Sequence, residues 1–323
     1  MIMNIYLVLI AALLGVSCSK GEDPLPATGI QAGSLYYSAA DELMRFDFKT
    51  KQETLVFSGG SSYTISAAQE KFAWYKNDFA EQTTRVQVHD LEAPSGYESI
   101  IISATLESTP EFAPGEELLG ALAESLDEPD LRKDLVLFNY HGAIIGRVPH
   151  VKDFSFSPNG KDLLISAEAL NPGNEVEGYA LALIKNYRSD DQQSITIREF
   201  PDYSQLPADI SISPDASHVA YTHLDHLYTL ELIEEAAPRQ ITASKFMEVD
   251  ACWSPDGKYL GFIANVSGTT DCGEIRIVLS QPAEPVPVPD EAWENAPADP
   301  LQPVDNNGKV IHSCGSERIY WVP

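Results

Sequence analysis

The chain is short of positive charge. Among 323 residues, 21 are Lys or Arg against 48 Asp or Glu, and the net charge is −27. Nothing in such a chain neutralises a phosphate backbone, which excludes nucleic acid as a partner and argues against direct adhesion to an anionic membrane surface. Long apolar runs are also missing. The longest, 5–16, is too short to cross a bilayer and has the length of a signal-peptide core. Catalytic motifs are scarce as well: there is no nucleophile elbow, no His-Glu-x-x-His and no glycine-rich phosphate loop. Histidines 89, 141, 150, 218 and 312 form no short-spaced cluster. His223-Leu224-Asp225-His226 has metal-like spacing but lies at an expected strand turn, where the ligands would diverge.

What the chain has is a recurring hairpin. Cys252-Trp253-Ser254-Pro255-Asp256-Gly257-Lys258-Tyr259-Leu260 reads as strand, tight turn, strand, with Pro ending the first strand and Gly taking a positive φ. The pattern stands again at Phe156-Ser157-Pro158-Asn159-Gly160 and at Ile212-Ser213-Pro214-Asp215-Ala216. Looser copies are Phe112-Ala113-Pro114-Gly115 and Ile65-Ser66-Ala67-Ala68. The residues before the turn fall at 66, 113, 157, 213 and 254, in steps of 47, 44, 56 and 41. A multi-stranded repeat of this length is the signature of a β-propeller blade. Residues 33–57 supply three short strands, 34–38, 42–48 and 53–57, of a blade that lacks its first. Ile319-Tyr320-Trp321-Val322-Pro323 matches Ala251-Cys252-Trp253-Ser254-Pro255 in register and is expected to enter that blade and close the ring. With further blades starting near 63, 110, 152, 208 and 249, the expected fold is an all-β, six-bladed propeller of four-stranded antiparallel blades spanning 33–323, with seven blades as the alternative. The excess length sits in inserts at 171–177, 189–193 and 281–302.

The inner strands carry a second regularity. Asp153-x-Ser155-x-Ser157-Pro158, Asp209-x-Ser211-x-Ser213-Pro214 and Asp250-x-Cys252-x-Ser254-Pro255 share one register, with bulky residues between. Period two puts small groups on one face and large ones on the other, a pattern for blade-to-blade packing. The three Asp residues open their strands, so they should gather at one channel mouth. There each ties down its local turn through backbone amides, or together they form an acidic ring for a cation such as Ca2+ or an amine-bearing ligand. No other cofactor is implied. If 309–313 forms the fourth strand of the last blade, Cys314 falls opposite Cys272 and a disulfide is expected; Cys252 is expected in packed core.

Ser-Pro-Asp-Gly-Lys before an apolar strand resembles the WD40-like, or PD40, repeat of TolB-type propellers, over nearly all the chain after residue 33. Leu14-Gly15-Val16-Ser17-Cys18 resembles a bacterial lipobox. These likenesses imply a signal peptide over 1–17, lipidation at Cys18 and a tether to residue 32. Ser19-Lys20-Gly21-Glu22-Asp23 is similar to an export tag of surface lipoproteins. The implied protein is a monomeric outer-membrane lipoprotein facing the periplasm or the cell surface. Its propeller would act as a non-catalytic scaffold for an envelope protein or glycan. The alternative is a carbohydrate-active lyase or hydrolase with a site at the channel mouth, although the hydrolase domain and metal-binding His set of propeller enzymes cannot be mapped onto this chain.

Overall fold

Each Ser-Pro-Asp-Gly copy closes through the same hydrogen bonds. In the last copy the Ser254 amide donates to Tyr259 O and the Gly257 amide to Ser254 O, both at 2.9 Å. Ser254 Oγ donates to Asp256 Oδ1 at 2.7 Å and accepts the Tyr259 amide at 2.9 Å, while Asp256 Oδ1 accepts the Lys258 amide at 3.2 Å. The set recurs around Ser157 with Asn159 and around Ser213 with Asp215. The hydroxyls of Ser213 and Ser217 hold the Asp215 carboxyl down, to about 2. The motif residues are thus fixed by a turn that satisfies its own backbone. Gly160 and Gly257 sit at φ 67° and 73°, and the third copy forces Ala216 to 58°. We expect Gly257→Ala to cost about 1–2 kcal/mol, the left-handed penalty of a Cβ. Ala216→Gly should not reproduce that loss; equal urea midpoints for Gly257→Ala and the native chain would contradict the assignment.

The computed structural model describes residues 33–60, 62–115, 117–125, 132–170, 175–189, 191–265, 272–288, 302–314 and 318–323. The expected signal segment, Cys18 and the tether lie outside them. Among the described residues there are six four-stranded units. Their inner strands are Tyr320–Val322, Thr64–Ile65, Glu111–Phe112, Val151–Phe156, Ala208–Ile212 and Glu248–Trp253, heading blades one to six. The first blade takes its inner strand from the C-terminus: Ser34, Leu35 and Tyr36 pair antiparallel with Val322, Trp321 and Tyr320. Blades one and six merge into one eight-stranded sheet through a parallel bridge between Ala39 and Cys314.

Six hydrophobic clusters lie one between each pair of neighbouring blades. Ile65 and Phe72 of blade two pack on Leu43 and Val322 of blade one. Val86 and Ile100 pack on Leu119 and Val136, and Leu122 and Leu135 on Phe154 and Leu163. Leu181 and Ile197 meet Ile210 and Tyr221, while Leu227 and Ala220 meet Trp253 and Phe262. Ile263 and Ile277 of blade six meet Leu35, Phe46 and Trp321 of blade one. Six blades with six interfaces make a closed cycle, so the core is a ring and the last interface depends on the returning tail.

Two expectations are corrected. The fourth strand of blade six is His312–Cys314 rather than 309–313. Asp305 caps a turn by accepting the Asn307 and Lys309 amides at 2.8 Å, which takes Lys309 out of the strand. The Pro-rich insert read as lacking strands contributes Val286–Pro287, parallel to Thr242–Ala243. A two-residue pairing is below what periodicity can register.

Candidate functional site

All six inner strands line a central cavity of about 380 Å³. Its two ends differ in chemistry because every inner strand runs in the same direction. At the ends of the strands stand Pro114, Pro158, Pro214, Pro255 and Pro323, with Ala67 in the sixth place: a collar of apolar side chains, five of them rigid rings. At the beginnings stand Glu111, Asp209, Asp250 and Arg318.

The expected acidic residues are placed as follows. Asp153 is buried; its Oδ2 accepts the Ile210 amide of the next blade at 2.7 Å, and its Oδ1 accepts the Phe154 amide at 2.8 Å. Asp209, at φ 51°, accepts the amide of Asp250. Asp250, at φ 57°, lines the same cavity. The carboxylates of Asp153 and Asp209 therefore stitch one inner strand to the next, and Asp153 also holds the amide beside it in its own strand. Ser155 does the same, accepting the Ile212 amide at 3.2 Å. The pairing of each of these strands with its partner shifts at this point, between Val151 and Asp153, Ala208 and Ser211, and Val249 and Cys252. Such bulges turn the carboxyl from the blade face toward its neighbour.

The carboxylates do not form a bare acidic ring. Arg318 reaches among them, with Nη2 donating to Asp153 Oδ1 at 2.7 Å and to Phe154 O at 3.1 Å, and Nη1 ion-paired with Glu111. Burial works against the Arg318 charge, but Glu111 and Asp153, then Tyr320 and Asp209, raise its pKa on balance. One guanidinium serves several acids. Burial, with Asp153 adding and Arg318 opposing, pushes Glu111 up to about 7. Burial, then the Asp153 charge, likewise raises Asp209. Among the described residues no three His, Cys, Asp or Glu side chains converge as a metal-binding group. His223 and His226 face each other across their turn, yet the first ring packs on Phe200 and Tyr228 and the second lies 3.8 Å from Glu248.

Arg318 and Glu111 were missed by sequence reasoning, and for Arg318 a signal exists. Asp153, Asp209 and Asp250 each stand five residues before the proline of their strand, and Arg318 stands five before Pro323. The closing blade carries a cation in the register where three others carry an anion. The disulfide lies just upstream: Cys272 and Cys314 are cross-strand partners, Sγ to Sγ 2.08 Å. Cys252 is buried with its thiol pushed up to about 12 by burial, an apolar filler rather than a nucleophile.

Neither a protein-family model nor a curated protein matches the chain. Solved structures do match its fold. TolB from Acinetobacter baumannii superposes with a TM-score of 0.59 at 14% identity, over 91% of this chain and 68% of that one. A chain of a nidogen/laminin complex gives 0.55 at 9%, over 90% and 99%. A chain of hydrazine synthase from Kuenenia stuttgartiensis gives 0.52 at 13%, over 77% and 80%. The protein thus has a TolB-like β-propeller fold. These neighbours include both a binding complex and an enzyme, so the fold does not choose between those classes.

Proposed function

We propose that this chain is a binding scaffold of the bacterial cell envelope, exported by its 1–17 segment, anchored through a lipid on Cys18, and presenting the propeller to a protein partner. The observation that supports a scaffold over an enzyme is the engagement of the mouth carboxylates. Asp153 and Asp209 accept amides from neighbouring blades, and Arg318 pairs with Glu111 and Asp153, so these groups serve the ring's cohesion. The opposite mouth offers the collar of prolines, with Pro158 and Pro214 exposed. A rim of pyrrolidine rings loses no rotamer freedom on contact, which favours docking of a protein segment. Among the described residues no helix is long and apolar enough to cross a membrane, in keeping with attachment by a lipid.

A photo-crosslinker at Asp256, in a collar-side turn, is expected to give one discrete adduct in intact envelopes. The same probe at Phe79, which is 73% exposed in the turn between the second and third strands of its blade, is expected to give none. Adducts from neither position, together with turnover of an envelope or dietary polysaccharide by the purified protein, would favour the carbohydrate-active alternative.

A further inference from the structure

The ring is closed by a segment that brings its own charge into the channel. From blade six the chain lays His312–Cys314 between Cys272–Leu279 and Ser34–Ala39, then reaches Arg318 in the mouth before Tyr320–Val322 seats as the inner strand of blade one. The groups that meet the guanidinium come from elsewhere in the circle: Glu111 from blade three and Asp153 from blade four by direct ion pairs, and Asp209 from blade five through its charge. Asp250 of blade six lines the same cavity, Tyr320 lies on the segment itself, and Lys152 feels the charges of Asp153 and Asp209. Blade two contributes only Ile65, Ser66 and Ala67 to the cavity. The Arg318 guanidinium also lies over Phe154, its carbon 5.9 Å from the ring centroid.

We propose that Arg318 is a charge lock on ring closure: the tail's seat in blade one is held by a guanidinium clasped by carboxylates of blades three and four. This goes beyond the scaffold reading and does not depend on it. Packing alone would hold Tyr320–Val322 equally at all pH values. A lock of one cation among several acids would not, because removing the cation leaves buried carboxyls whose ionisation opposes folding. For Glu111 the sign follows from its raised pKa. The stability it contributes is complete below the ordinary carboxylate value of 4.5 and is lost as pH rises through about 7.

The test is Arg318→Met, which keeps the side-chain stem and removes the charge. At pH 8 its melting temperature should fall by about 5 °C or more, and the gap to the native chain should at least halve at pH 5.5, where protonation relieves the stranded carboxyls. Methylguanidinium chloride at about 10 mM, against matched NaCl, should raise the variant's melting temperature by about 2–4 °C and leave the native chain unchanged. A gap of the same size at both pH values with no rescue overturns the lock and leaves Arg318 as packing. Should Arg318→Met fold at neither pH, Glu111→Gln in the otherwise native chain decides. The lock predicts that the fall in melting temperature between pH 4.5 and 7 flattens, and an unaltered profile rejects it.

Discussion

Removing residues 318–323 is expected to abolish the cooperative thermal transition while leaving most of the sheet content measured by far-UV circular dichroism. Ile319, Trp321 and Val322 are 3%, 7% and 7% exposed and sit in the two clusters flanking blade one. At about 1.5–3 kcal/mol for each buried large side chain, their loss approaches the whole stability of an ordinary domain, about 5–15 kcal/mol. The cut also uncovers the backbone of residues 34–36, an open edge that invites pairing with another chain. Trp321 stacks on Phe48 with centroids 4.9 Å apart, and Gly33 lies so close to the tail that an added Cβ would meet Val322 O at 2.2 Å. A truncated protein melting within about 2 °C of the full chain would mean that the first blade is complete without its C-terminal strand.

Breaking Cys272–Cys314 is expected to produce the next largest effect. The bond encloses a sequence separation of 42 residues, including the long Pro-rich insert. In the chain-entropy account, closing a loop of that length stabilises by about 3–4 kcal/mol, so the double Cys→Ser variant should melt roughly 10 °C lower. The loss has a local cause as well. Cys314 carries the bridge to Ala39, and Ser313 Oγ donates to Ser38 O at 3.2 Å, so the disulfide pins the strand that joins the last blade to the first. Reduction should therefore raise proteolytic cutting near 302–314 well before the hairpins of blade four are touched. Equal melting of oxidised and reduced protein would show that packing alone fixes the tail.

Much of this architecture was legible in the sequence because propeller blades are local objects. A Ser-Pro-Asp-Gly turn satisfies its own backbone, so its residues announce a hairpin wherever they stand. The match between Trp253 and Trp321, each two residues before a proline, exposed the closing strand by the same logic. The mouth was harder to read. Asp153 and Asp209 were picked out by register, but that they reach amides of the next blade depends on bulges, which strand periodicity does not reveal. Arg318 was passed over because its partners lie 207 and 165 residues away, at Glu111 and Asp153. Only the count of five back from Pro323 links it to Asp153, and Glu111, three before Pro114, is outside even that register.

The tail completes the ring, and hydrogen exchange at the last strand tests that most directly. If the tail is an integral inner strand, the hydrogen-bonded amides of residues 320–322 should exchange only with opening of the whole fold, at rates matching the core strands Val151–Phe156 and Leu163–Leu170. Exchange of the 320–322 amides within seconds, as in an unstructured terminus, while those strands stay protected, would contradict the closed ring.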